Sequence, residues 1–260
     1  MTAGVRLRPG KYFHRPRLIS KEVALTSSLA ALYTLFRAIP ISKFIRLPGT
    51  LTANGIITPL IAVLIGPLSG IVAVFLGTII ASLAPWVGVR FPFPGTDAIP
   101  GILNVLVISL AVRGKRYFAA LLLLGAIGAF ALTPSTTVFV GLNYGSPPLP
   151  YFWMHLVAFF VLVSPLSRSI PERLRSPDYS KVALAIGVLA FAGTMIEHIE
   201  GGMLFALFFP TTAAGLWRFI YLAYPIERVI TVIGAVLVCP PVLRRLQISS
   251  DLPILRQSSL

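Results

Sequence analysis

The sequence predicts an all-α protein, a polytopic transmembrane bundle of six to eight helical segments with both termini cytoplasmic. Three observations predict it. Hydrophobic residues make up 56% of the 260-residue chain and charged residues 12%, about half the charged share of soluble domains, and mean hydropathy is +0.87. Apolar runs follow one another along the chain with no polar stretch large enough for a soluble domain. The net charge of +14 is gathered into a few short segments, as lysine and arginine are in the cytoplasmic loops of membrane proteins.

Eight apolar segments follow in order: Glu22–Ile39, Ala53–Ile65, Pro67–Trp86, Ile99–Val112, Tyr117–Leu132, Tyr151–Val163, Lys181–Ile199 and Ile226–Val242. Several are shorter than the ~20 residues that a perpendicular crossing needs. The first follows a basic stretch (Arg6, Arg8, Lys11, Arg15, Arg17, Lys21) and lacks an A-x-A site, so it reads as an uncleaved span with its N-terminus inside. Gly201–Pro225 is apolar but interrupted by Gly201-Gly202, Pro210 and Gly215. It reads as a further span, a re-entrant piece or an extension of its neighbours, and broken backbone at that depth is tolerated where protein or water covers it. The resulting division is a basic cytoplasmic segment over 1–21, a transmembrane domain over 22–246 and a cytoplasmic tail over 247–260.

Alternating the segments from an inside N-terminus leaves only Arg37, Lys43, Arg46, Arg90, Arg218 and Arg228 of the 22 basic residues outside. That bias supports the topology and a multi-pass protein of the plasma membrane. A nucleic-acid role is set aside, because no binding motif or aromatic–basic interleaving accompanies the charge. Cys239 is the one cysteine, which rules out an intrachain disulfide.

Within this frame the polar groups gather in the outer half. Only 8 acidic residues and 3 histidines occur, yet Glu197-His198-Ile199-Glu200 holds two of the acids and one histidine. Ionisable groups on a bilayer-length helix are expensive and point to function. On a helix Glu197 and Glu200 share a face, and His198 points about 100° away. A ligand site, a proton-coupling site and an interfacial cap paired with arginine all remain open. A metal site is disfavoured, because no second histidine stands at ligand spacing. Asn54 and Asn104 lie at the same depth and suit either a ligand or a neighbouring helix. His155 suits interfacial packing. Trp86 and Trp217 suit the aromatic belt or stacking on a ring. Glu227 and Arg228 are adjacent, and Arg228 is a candidate partner for Glu197 or Glu200 across the bundle. Thr26/Ala30 and Ser27/Ala31 form small-xxx-small pairs that let a helix approach, from this chain or from a partner. The G-x-S-x-G, H-E-x-x-H and Walker A patterns are absent, so no enzyme class and no P-loop ATPase is indicated.

Several stretches carry a family resemblance. Asn54-Gly-Ile-Ile-Thr-Pro-Leu-Ile-Ala-Val-Leu-Ile-Gly-Pro-Leu-Ser-Gly, continuing to Phe75-Leu-Gly77, resembles the second-to-third helix region of substrate-binding (S) components of energy-coupling factor transporters. The first span and the loop after it, with Pro40, Pro48 and Gly49, fit the same pattern. Tyr224-Pro-Ile-Glu-Arg-Val-Ile and the basic stop Arg244-Arg245 resemble that family's last helix. Thr194-Met-Ile-Glu-His-Ile-Glu-Gly-Gly202 is similar to a polar segment of archaeal-type members. The family usually has six helices, and its A-x-x-x-A coupling motif is replaced here by Ala24 and Ser28.

The resemblance implies a subunit that captures a vitamin-like micronutrient from outside. It delivers that ligand with a transmembrane coupling protein and two ATPase subunits. Asn54, Asn104, Glu197, His198 and Glu200 are then the expected ligand contacts, with Pro40–Thr52 as a lid and Thr26, Ser27, Ala30 and Ala31 as the docking face. Two ionised acids favour a cationic or hydrogen-bonding ligand. No cofactor or metal is expected. The alternatives are a proton-coupled secondary transporter using Glu197, His198 and Glu200, an intramembrane enzyme using Glu197 and His198, and a structural assembly protein. Internal inverted repeats would favour the secondary transporter, and none stands out.

Overall fold

The computed structural model describes residues 15–43, 50–84, 93, 95–142 and 147–248. The far N-terminus, the tail beyond 248, the middle of the proposed lid (44–49), Trp86 and Arg90 lie outside the described residues. Among those described there are nine helices, two of them single turns, and two short hairpins. The helices are α1 (Arg15–Arg37), α2 (Asn54–Leu83), α3 (Ile99–Val112), α4 (Arg116–Leu132), α5 (Trp153–Val163), α6 (Pro165–Arg168), α7 (Ile170–Leu174), α8 (Tyr179–Phe208) and α9 (Pro210–Ile248). The hairpins pair β1 (Pro40–Lys43) with β2 (Thr50–Thr52), and β3 (Phe139–Val140) with β4 (Leu149–Pro150), both antiparallel.

Three helical stretches, Asn54–Leu83, Tyr179–Phe208 and Pro210–Leu246, are long and apolar enough to cross a membrane. Large apolar side chains stand outward on several helices, among them Leu68, Phe118, Leu121, Phe160 and Leu237. A water-exposed surface does not favour such a coat, whereas hydrocarbon does. This is a membrane protein built as a helical bundle.

The α2 stretch is not a straight rod. Gly66 holds φ 71° and ψ −167°, a conformation open essentially to glycine alone, and Pro67 follows. In a straight helix Asn54 and Gly77 would lie about 35 Å apart. Tyr33 nevertheless touches both: its hydroxyl accepts from Asn54 Nδ2 at 2.9 Å, and its ring lies 2.9 Å from where a Cβ on Gly77 would be. Ile61 likewise reaches the Cβ position of Gly70. The chain therefore folds back at Gly66 into two antiparallel halves, 54–65 and 67–83. The first half is only about 18 Å long, little more than half of a hydrocarbon core of about 30 Å.

The cations collect at the Gly66 end. Arg113, at the C-terminus of α3, approaches the Gly66 turn. Arg116 Nη1 donates to the Ser164 carbonyl at the end of α5, 2.6 Å away. Ser69, just past the turn, donates to Glu22 near the start of α1 at 2.6 Å. Asp178 caps α8 at this end by accepting from the Ser180 amide at 2.9 Å.

Of the three readings of Gly201–Pro225, the structure has the extension of its neighbours, α8 running to Phe208 and α9 beginning at Pro210. Gly201-Gly202 does not break the chain, since α8 runs through it to Phe208. Pro225, Pro240 and Pro241 all lie inside the 39-residue α9, so the segment read as Ile226–Val242 is part of a helix beginning at Pro210. A helical glycine costs about 1 kcal/mol relative to alanine. An unpaired backbone group in an apolar setting costs several times that, so the helix persists.

Replacing Gly66 with alanine forces a Cβ into a glycine-only conformation. It is expected to cost roughly 1–3 kcal/mol, measured as a lower unfolding temperature in detergent. The Arg113 side chain can swing aside, so an unchanged melting temperature would mean that the fold-back does not depend on the backbone angles of Gly66.

Candidate functional site

A buried stripe runs down α1 at helical spacing: Ala30, Tyr33, Thr34 and Arg37. Tyr33 meets Asn54, the first residue of α2. Asn54 Nδ2 donates to Tyr33 Oη at 2.9 Å and to Glu197 Oε1 of α8 at 3.1 Å. The other oxygen, Glu197 Oε2, accepts from Asn104 Nδ2 of α3 at 2.6 Å. Thr52, the last residue of β2, donates from Oγ1 to Asn54 Oδ1 at 2.5 Å. One carboxylate thus joins α2, α3 and α8, and through Asn54 it reaches α1 and the β1–β2 hairpin. An unsatisfied buried carboxylate is costly, and here both oxygens receive amide N–H groups.

Small residues make this approach possible. A Cβ on Gly193 would collide with Asn104 Oδ1, and one on Gly55 would lie 2.9 Å from Thr231 Cγ2 and 3.4 Å from Glu197 Oε2. At the edge of the network, Arg37 acts electrostatically on Tyr33 and Asp97. Asp97 lies in the loop before α3 and accepts from the Phe93 amide at 3.3 Å. Burial pushes its carboxyl above the ordinary value, opposed by that amide and by Arg37.

His198 turns to the other side of α8. Its Nδ1 lies 3.0 Å from His155 Nε2 of α5, a pairing in which one ring donates and the other accepts. Its ring stacks on Tyr224 of α9 with centroids 4.5 Å apart. Tyr151 stacks on Phe130 at 5.1 Å, and Trp217 meets both edge-on. Tyr224 Oη donates to the Tyr151 carbonyl at 3.1 Å. The four-residue cluster of the sequence is therefore divided. Glu197 serves the α2/α3 side, His198 serves an aromatic box against α5 and α9, and Glu200 returns to the Glu197 side. Glu200 is 8% exposed, and among the described residues no hydrogen bond or ion pair to it is found. No group of three or more His, Cys, Asp or Glu among the described residues is placed to hold a metal ion.

Several expectations are corrected. Arg228 does not cross to Glu197 or Glu200. It pairs with its neighbour Glu227 at 3.5 Å and donates to Thr194 Oγ1 at 3.1 Å, while both oxygens of Glu197 are taken by asparagine amides. Trp217 is buried rather than in an interfacial belt, and its Nε1 donates to the Ser135 carbonyl at 2.7 Å. His155 is a fully buried partner of His198 rather than an interfacial residue. Ala30 cannot serve an external partner, since it is buried and its carbonyl abuts Gly77. Thr26 is half-buried, and Ser27 and Ala31 remain exposed. Sequence reasoning missed Tyr33, Thr52, Tyr151 and Tyr224. For Tyr33 a signal existed in the 30/33/34/37 spacing. The others carried none, because their roles depend on which helices meet.

The chain is 27% identical over 204 residues to the uncharacterized protein MJ0923 of Methanocaldococcus jannaschii, an alignment covering 77% of this chain and 64% of that protein. This chain thus spans less than two thirds of that relative's length. No family model matches the sequence, and no solved structure matches it significantly.

Asn104→Ala removes the shorter of the two bonds to Glu197 and is expected to cost roughly 2–3 kcal/mol. Gly193→Ala should destabilise as well, although alanine is the better helix former by about 1 kcal/mol. Thermal unfolding of the purified variants in detergent checks both. Gly193→Ala matching or exceeding the parent would show that the Asn104 contact is not tight.

Proposed function

We propose that this chain is the substrate-capture subunit of a vitamin-like micronutrient importer, binding its ligand from the outer face and relying on partner subunits for ATP-driven uptake. The observation that carries the reading is the Asn54–Asn104–Glu197 network, fastened by Thr52 to the hairpin that follows the first helix. A carboxylate and two carboxamides lie by a short two-stranded flap, at the end of the bundle away from Arg113 and Arg116. That combination suits capture of a small polar molecule, with Glu200 and His198 as further walls. The sequence carries no Walker A motif, and in this reading other subunits supply the energy.

In this reading the chain is a multi-pass protein of the plasma membrane. Its basic end faces the cytoplasm, as charge bias favours. The exposed Ser27 and Ala31 offer a close approach to a transmembrane coupling protein, and the ATPases engage that protein in turn. Capture needs no covalent chemistry, so the chain is not an enzyme.

Mass spectrometry of the protein purified alone tests the reading. A small molecule should co-purify at near-stoichiometric ratio, and Glu197→Gln should reduce its retention at least tenfold. Uptake into vesicles by this chain alone, collapsing with the proton gradient, would replace the proposal with a proton-coupled secondary transporter.

A further inference from the structure

α8 carries four glycines, and packing accounts for three of them. A Cβ on Gly187 would meet Val236 at 3.4 Å, one on Gly193 would collide with Asn104 Oδ1, and one on Gly202 would meet Phe130 at 3.1 Å. Gly201 differs from these. Among the described residues nothing lies within 4 Å of its Cβ position. A helical glycine with no neighbour to make way for is a standing cost, because alanine is the better helix former.

The direction in which Gly201 points is set by the residues around it. Thr194 accepts from Arg228, His198 stacks on Tyr224 and Phe205 meets Trp217 edge-on, so this stripe of α8 faces α9. Gly201 lies on it, about 20° round the helix from Thr194 and about 40° from Phe205. The three contacts share one antiparallel register, which sets Tyr221 opposite Gly201 and Pro225 opposite Glu197. Thr194, Phe205, Trp217 and Arg228 are buried, whereas Glu197, His198, Gly201, Tyr221 and Glu227 are only half-buried. The two helices therefore close on each other on both sides of this level and stand apart at it.

The groups bordering the opening are acceptors. Pro225 lies inside α9 and has no N–H, so the Tyr221 carbonyl loses its helical donor. The Glu197 oxygens each accept one asparagine amide, and a carboxylate has lone pairs for more. We infer that the Gly201–Tyr221 opening between α8 and α9 is the seat of the captured molecule, and that this molecule donates N–H or O–H groups to the Tyr221 carbonyl and to Glu197. The inference rests on the capture reading and locates the site. Gly193 lets the bundle close, and Gly201, about two turns further along, keeps it open.

Gly201→Ala and Gly201→Leu test the seat, read by melting temperature in detergent and by mass spectrometry of the co-purified small molecule. Gly201→Ala should melt no lower than the parent, unlike Gly193→Ala. Gly201→Leu should retain at least tenfold less of the molecule. A lower melting temperature for Gly201→Ala means that there is no room, and full retention by Gly201→Leu means that the molecule sits elsewhere. Either overturns the seat and leaves capture standing. Should Gly201→Leu not fold, Gly201→Cys decides, treated in detergent with sulfonatoethyl methanethiosulfonate. The parent is the blank, since Cys239 is buried. Labelling that the extracted small molecule slows at least tenfold supports the seat, and labelling that is absent or unaffected overturns it. A co-purified molecule without N–H or O–H groups overturns the chemical class. No co-purified molecule overturns capture and the seat together.

Discussion

The structure depends on the satisfaction of one carboxylate. Glu197 sits on a helix that is apolar from Val182 to Gly193, and α2 and α3 each contribute an asparagine amide to it. Neutral donors in this role differ from an arginine partner. They supply direction without requiring a second charge to be stripped of water, which is the larger part of the cost of buried ion pairs. They also link elements far apart in sequence, for Asn54 and Glu197 are 143 residues apart. The close contacts at Gly55 and Gly193 follow from that demand, because an amide cannot reach a helix-borne carboxylate past an intervening side chain.

The second organising feature is the division made by α8. One side carries the Tyr33–Asn54–Asn104–Glu197 network, and the other carries His155, His198 and the rings of Tyr151, Tyr224 and Trp217. Between them α8 presents Thr194, which accepts from Arg228 at 3.1 Å, while Met195, Ile196 and Ile199 are fully buried on its opposite side. The aromatic side is held by stacking and edge contacts and by hydrogen bonds from Tyr224 and Trp217 to loop carbonyls, so its fixed point is the β3–β4 region.

Much of this was legible in the sequence. The apolar runs announced a membrane bundle, Gly66-Pro67 marked a boundary between two segments, and the scarcity of acids drew attention to Glu197. The common depth of Asn54, Asn104 and Glu197 pointed to a shared site, and helical periodicity correctly separated His198 from the two glutamates. What was not legible was facing. A helix that is apolar on every side has no amphipathic stripe to say which neighbour it meets, so Arg228 was expected on the wrong partner and Trp217 in the wrong environment. The continuity through Gly201-Gly202 was one of three readings that the sequence left open, for another reason. Glycine and proline are read as breaks by rules learned in water, and those rules lose force where the backbone has no solvent to turn to.

The fold-back at Gly66 has an electrostatic consequence. It makes residues 54–65 a half-length helix whose amino end is buried in the protein beside the hairpin. The unpaired N–H groups of a first helical turn add up to roughly half a positive charge. Glu197 Oε2 lies 3.4 Å from the Cβ position of Gly55, the second residue of that turn. The positive pole of a buried dipole thus stands where a guanidinium was expected, and it is a pole fixed in the backbone. A rigid, uncharged source of positive potential holds the carboxylate in place with no second charge to be stripped of water.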